Sequence, residues 1–189
     1  MRELADSIER WRARGDQVAL ATVVATRRSA PRPVGAKLAI SERGELIGSV
    51  SGGCVESDVA VQAADVIAEG VPRLLTYGIT DDMAWNVGLP CGGEIDVFIE
   101  RFEGELPESV EPAVAVTVLE GERAGERRVL GPGAVDPGPS RVLELDGETV
   151  FAEVFGPPPR IIAIGAIDTA EELCRLAKSL GWHTAVADP

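Results

Sequence analysis

The chain has 189 residues, 45% hydrophobic and 26% charged, and 18 basic against 31 acidic side chains give it a formal net charge of −13. That is an ordinary globular composition with material for one good core or two small domains, and its acidic surface repels nucleic acid and anionic membrane. Nothing approaches the roughly 20 apolar residues of a membrane-spanning helix; three cysteines make no disulfide framework, and one histidine leaves little room for a His-based metal site or a Ser-His-Asp triad.

The start, Met1-Arg2-Glu3-Leu4, has no apolar signal core, so a cytoplasmic protein is expected. Residues 3–14 read as a helix with Leu4, Ile8 and Trp11 on one face, stopped by Gly15 and Asp16. Residues 17–25 form an apolar, β-branched run, hence a buried strand. Thr26 to Gly35 is a loop that Pro31 and Pro33 stiffen and Arg27, Arg28 and Arg32 make basic. Residues 36–41 and 45–51 read as strands joined by Glu42-Arg43-Gly44, the second running into Ser51-Gly52-Gly53-Cys54.

A helix is predicted from about Val55 to Glu69, with Val55, Val59, Ala63, Val66 and Ile67 sharing a face and Gly70 and Pro72 ending it. Residues 73–79 read as a strand, Asp81 to Gly88 as a short helical turn, Leu89 to Gly93 as a loop and residues 94–102 as an alternating strand. Further on, 113–119 is a strand candidate and Gly131 to Pro139 a linker. Residues 141–145 and 148–155 suggest a hairpin about Asp146-Gly147, and Gly156 to Pro159 a second linker. Arg160 to Ala166 reads as a parallel-type strand. Asp168 or Thr169 would cap a helix running to Leu180 with Gly181 at its end, and residues 182–187 add another strand. A lone βαβ unit cannot bury both faces of its sheet. It must pack on the N-terminal domain, on another chain or on a continuation of this one.

The fold class expected is therefore α/β. An N-terminal mixed-sheet α/β domain (1–104) is followed by a β-rich extension and linker (105–158) and an incomplete Rossmann-like βαβ unit (159–189).

The informative order is strand, Ser51-Gly52-Gly53-Cys54, helix. Glycines at such a turn allow unusual φ and let a ligand approach the backbone. The first helical N–H groups lack intrahelical partners and, with the helix dipole, favour an anion. Cys54, at or within one residue of that helix start, would be a nucleophilic, partly exposed thiolate beside an anion cradle. The arginines of the 27–32 loop and Lys37 are the basic supplements. Cys91 precedes Gly92-Gly93 and a strand; it could act as a resolving thiol, a second sulfur ligand or a sulfur relay. Cys174, beside Leu173 and Ala177 on the last helix, reads as a core residue.

Four blocks in order carry a resemblance: Ser29-Ala30-Pro31-Arg32-Pro33-Val34-Gly35-Ala36-Lys37; Gly48-Ser49-Val50-Ser51-Gly52-Gly53-Cys54-Val55-Glu56; Tyr77-Gly78-Ile79; and Gly88-Leu89-Pro90-Cys91-Gly92-Gly93-Glu94-Ile95-Asp96-Val97. Together they resemble the xanthine dehydrogenase accessory factor family (XdhC/CoxI), over about residues 10–100 and again at 159–189, where a Rossmann-type domain begins.

The resemblance implies an accessory chaperone, not a stand-alone enzyme. It would bind molybdenum cofactor of the molybdopterin type transiently, protect it or help sulfurate it, and deliver it to a client molybdenum hydroxylase such as xanthine or carbon monoxide dehydrogenase. A cysteine desulfurase is a further candidate partner, and a homodimer is expected. Cys54 and Cys91 would be the reactive residues and Ser51, Gly52, Gly53, Arg32, Lys37, Gly92 and Gly93 the cofactor contacts; no resident metal is expected.

The last segment departs from a dinucleotide-binding turn. Gly165-Ala166-Ile167-Asp168-Thr169-Ala170 has Ile167 where a glycine would admit the pyrophosphate, and Asp168 adds negative charge. Asp188 is placed like a ribose-binding acid, but NAD(P) is not expected. Two other readings are a nucleotide-binding oxidoreductase or regulator, and a non-catalytic assembly module whose glycines serve turns only.

Overall fold

The computed structural model describes residues 2–78, 92–104, 106, 113–130, 138–156 and 160–188. The chain divides into two compact units, Met1–Pro107 with Ala113–Val154, and a second that contains Phe155–Pro189.

The first unit is built on a five-stranded sheet. Its strands are β1 (Val18–Arg27), β2 (Lys37–Ser41), β3 (Leu46–Gly48), β4 (Arg73–Tyr77) and β5 (Glu94–Arg101), in the order β3-β2-β1-β5-β4. The α/β class is as expected, and every pairing in this sheet is antiparallel. Helix α2 (Glu56–Glu69) covers one face. Its residues Val59, Ala63, Val66 and Ile67 recur at helical spacing and pack on Leu38, Ile40, Val97 and Ile99. Burying each of the larger of these side chains contributes about 1.5–3 kcal/mol. Gly70, at φ 73, ends the helix in the left-handed conformation that favours glycine. The other face takes α1 (Arg2–Ala13), whose Leu4, Ile8 and Trp11 lie over Val18, Leu20 and Ala39.

Beside α1 on that face stands a four-stranded sheet supplied by the stretch expected as extension and linker. It comprises β6 (Ala113–Val118), β7 (Arg127–Leu130), β8 (Arg141–Leu145) and β9 (Glu148–Phe155), in the order β7-β6-β9-β8. Leu119 and Phe151 pack on Val24 and Phe98 of the first sheet. The hairpin β8–β9 turns at Asp146 and Gly147, both at positive φ (54 and 82), as its Asp-Gly pair predicts. Strand β7 has no counterpart among the predicted elements. The helical turn expected at Asp81–Gly88 and the linker residues 131–137 and 157–159 lie outside the described residues.

The second unit is a βαβ motif. β10 (Arg160–Ile164) and β11 (His183–Ala187) pair in parallel, and α3 (Asp168–Ser179) buries Ala170, Cys174 and Ala177. Cys174 is a core residue, as read. The cap is corrected: Ile167 occupies the N-cap with no side-chain bond, and Asp168 is the first helical residue. Ile162 and Ile164 are 63% and 85% exposed, as a two-stranded sheet covered on one side requires.

Candidate functional site

Three sequence-distant loops meet at one end of the five-stranded sheet. Strand β1 ends there at Arg27, which lies opposite Glu94 at the start of β5. The chain returns along β2 with Lys37 opposite Thr22, and β3 ends at Gly48 opposite Leu38. Gly48 has φ 93, and a Cβ on it would overlap the Lys37 carbonyl. The strand expected to reach residue 51 therefore stops at Gly48, and Ser49 to Val55 form a turn into α2. Gly93 abuts the 28–36 loop, because a Cβ there would overlap the Ser29 carbonyl oxygen. Ala30, Ala36 and Cys54 all pack on the core beneath α2.

The turn is organised by a residue the sequence analysis did not single out, Glu56. Its Oε1 accepts the Ser49 hydroxyl at 2.7 Å and the amides of Val50 and Ser51 at 3.1 and 2.9 Å. Its Oε2 accepts the Gly53 amide at 2.8 Å and the Ser51 hydroxyl. The Gly52 amide donates to Ser49 Oγ at 2.8 Å, and those of Cys54 and Val55 to Ser51 Oγ at 3.0 and 2.9 Å. Every backbone N–H from Val50 to Val55 thus reaches Glu56 or a hydroxyl that Glu56 holds. Burial raises the Glu56 pKa, but the Ser51 and Ser49 hydroxyls and the backbone amides outweigh it and bring it from 4.5 to about 2. The legible signal was an acid opening the helix three residues after Gly53, the same spacing at which a capping-box carboxylate reaches back to a backbone amide, here set two residues earlier than in that motif.

Two expectations change. The anion cradle exists, but it holds the chain's own carboxylate. Ser51 is 1% exposed and is a strut inside the turn, not a surface contact. Lys37 is buried on the other face of the sheet. Its Nζ lies 2.9 Å from Glu153 Oε1 and 3.2 Å from Thr22 Oγ1, so it does not join the turn. Burial pushes the Lys37 ammonium pKa down, against the pull of the Glu153 carboxylate.

What remains at this sheet end is chemically distinct. Cys54 is a free, half-buried thiol immediately before the Val55 N-cap. Gly52 and Gly53 are exposed at φ 78 and 111. Arg27 is engaged by Glu94 and by Asp96, whose Oδ2 lies 2.8 Å from its NH2. Arg28 and Arg32 are exposed and have no partner among the described residues. Gly92, at φ 77, belongs to the same end; Cys91 lies outside the described residues. Tyr77 Oη donates to Asp58 Oδ2 at 2.7 Å and ties β4 to the first turn of α2.

Residues 11–78, which span this turn and the basic loop, match the XdhC and CoxI family. The molybdenum cofactor insertion chaperone PaoD of Escherichia coli is 30% identical over 92% of this chain and 54% of its own. A probable xanthine dehydrogenase component of Bacillus subtilis is 28% identical over 92% of this chain and 60% of its own. The chain therefore spans little more than half the length of the curated relatives it matches. A crystal structure of a xanthine dehydrogenase from Bacillus halodurans superimposes with a TM-score of 0.61 at 21% identity, over 96% of this chain and 61% of that one, and shares the fold.

Within the XdhC and CoxI segment, Cys54 is the one cysteine. Clefts of about 490 and 290 Å³ open at the other end of the same sheet, beside Val18 and Arg101 and beside Ser41 and Ala64. Neither is lined by a cysteine. In the second unit the Asp188 carboxylate, placed like a ribose ligand, instead accepts the Ala166 amide at 2.7 Å. Ile167 stands 65% exposed where a nucleotide turn would have glycine. No helix among the described residues is long and apolar enough to cross a membrane.

Proposed function

We propose that this protein carries molybdenum cofactor during maturation of a molybdenum hydroxylase of the xanthine dehydrogenase type. The observation that carries the reading is the free Cys54 thiol on a braced turn, at the sheet end where Arg28 and Arg32 have no partner among the described residues. The cargo has a soft, sulfur-ligated metal at one end and a phosphate at the other. A thiolate suits the first and guanidinium groups the second. In this reading Cys54 contacts the metal end, and Cys91 supplies a second thiol from the 92–93 side. Gly52 and Gly53, where a Cβ would meet nothing within 4 Å, leave room for the pterin by having no side chain, and Gly92 is a further contact; Gly93 instead makes room for the Ser29 carbonyl. Arg28 joins Arg32 as a phosphate contact and takes the place of Lys37. Sulfur transfer from a desulfurase and delivery to a carbon monoxide dehydrogenase are finer forms of the same reading, as is a homodimer.

The test is anaerobic co-purification from cells that make the cofactor, with molybdenum and pterin measured per chain. Wild type is expected to retain both. Cys54→Ala is expected to retain about tenfold less, the loss equivalent to one contact of ~1.4 kcal/mol. Equal retention by Cys54→Ala and a Cys54→Ala, Cys91→Ala double variant on one side and wild type on the other would sink the thiol role.

A further inference from the structure

Glu56 has no part in the cofactor contacts proposed above, yet the turn that presents Cys54 is built around it. Gly52 and Gly53 are both in the left-handed region, where glycine has no side chain to restrain it. Val50 and Val55 are fully buried at either end of the turn and fix its ends, not its middle. The restraint on the middle comes from the carboxylate. Oε1 holds Ser49, Val50 and Ser51, and Oε2 holds Gly53 and the Ser51 hydroxyl. Ser51 Oγ then passes the restraint on to the Cys54 amide.

We propose that Glu56 is the positioning residue for Cys54: its carboxylate locks the Ser49–Gly53 turn and so holds the thiol half-buried against the core beneath α2. The inference rests on the reading of Cys54 as the working thiol. Glu56 itself need touch no cargo. Only a doubly accepting, charged group can serve all five donors. An amide would turn its own N–H groups towards N–H and O–H donors. Loss of the carboxylate releases two glycines to wander and gives solvent access to the thiol. A small carboxylate from solution, entering the vacated cradle, should restore the lock. A helix-capping role confined to stability would not respond in that way.

The test uses the full chain carrying Cys91→Ala and Cys174→Ala, so that Cys54 alone reacts. The rate of alkylation by iodoacetamide is measured at about pH 10, where thiols are ionised and the rate reports access. Glu56→Ala is expected to raise the rate about tenfold, the factor that 1.4 kcal/mol of lost restraint gives. Sodium formate, against sodium chloride at equal ionic strength, is expected to bring Glu56→Ala back towards the parent rate and to leave the parent unchanged. Glu56→Gln should also react faster and should not respond to formate, since its side chain still fills the cradle. If Glu56→Ala does not fold, Glu56→Gln against the parent carries the test. A folded variant that reacts at the parent rate, or a Glu56→Ala rate that formate leaves untouched, overturns the proposal. No cofactor enters this assay. A chain that fails to retain cofactor but shows the formate response retires the carrier reading and leaves Glu56 in place, and the reverse pattern does the opposite.

Discussion

Lys37 and Glu56 lie in the same stretch of sequence and are both charged groups held by the fold, one buried and one half-buried, but the fold treats them in opposite ways. Lys37 is paired by another side chain, Glu153, from a strand far along the chain, with Thr22 as third partner. Next to it in the same inter-sheet layer, Arg127 meets Glu100 at 2.6 Å and Thr117 at 3.0 Å, and burial raises the Glu100 pKa against the pull of Arg127 and Lys37. Glu56 is paired almost wholly by backbone amides and hydroxyls from the seven residues before it. A buried ion pair is costly to desolvate and serves specificity of packing as much as stability. A carboxylate in an amide nest shapes the local backbone and lowers its own pKa at the same time. The first kind of charge joins two sheets; the second prepares a surface.

Breaking the Lys37 pair should have the largest effect. Glu153→Ala leaves an ammonium buried without its counter-ion, and chemical denaturation is expected to show a loss of about 3–5 kcal/mol. Lys37→Met combined with Glu153→Leu removes both charges and is expected to recover most of that loss. If the double variant is as unstable as Glu153→Ala, the pair holds the sheets together by more than charge balance, and the contrast with Glu56 weakens.

The same contrast shows what was legible in the sequence. The face of α2 and its Gly70 stop follow from apolar spacing, and the structure buries Val55, Val59, Ala63, Val66 and Ile67 as read. The hairpin at Asp146-Gly147 follows from turn chemistry. Lys37 was misplaced although parity could have placed it: Leu38 and Ile40 face α2, so Lys37 must face away. Charge drew it to the nearest anion site when its partner stands in a strand no local pattern links to it. Strand β7 escaped for a related reason. Arg127 and Arg128 break the apolar alternation, and Arg127 becomes tolerable inside through Thr117 on the paired strand and through Glu100 and the Phe102 ring, which come from the other sheet and its end. Glu56 was missed because a helix's first acid is usually credited to the dipole, whereas here it reaches back over the turn. The gathering of the 28–36, 49–55 and 92–93 loops at one sheet end depends on strand order, which local patterns do not carry.

A smaller effect is expected at Glu56, and its pH dependence separates the two kinds of charge. The folded pKa is depressed from 4.5 to about 2, so the fold favours the ionised form. That stabilisation is complete above about pH 4.5 and is lost as the pH falls towards 2. At pH 7, Glu56→Gln should cost about 1–3 kcal/mol, the penalty for donors left unpaired. Its deficit relative to wild type should shrink steadily between pH 4.5 and 2. A deficit that stays constant across this window would mean that the carboxylate's charge does not hold the turn.

The smallest expected effect on stability is at Arg28 and Arg32, and it completes the contrast. These arginines are exposed and have no partner among the described residues, so no contact described there ties their charge to the fold. Replacing both by alanine should change unfolding free energy by no more than about 0.5 kcal/mol, as exposed substitutions do. Yet if they receive the phosphate of the cargo, the same variant should lose cofactor in the anaerobic co-purification, and the loss in wild type should grow with salt as screening weakens the contact. Charge that joins the sheets would then register only in stability, charge that shapes the turn in both stability and thiol access, and the exposed charge of the 28–32 loop only in binding. An arginine variant that is destabilised by several kcal/mol while retaining cofactor would reverse that order and move the phosphate contact away from the 28–32 loop.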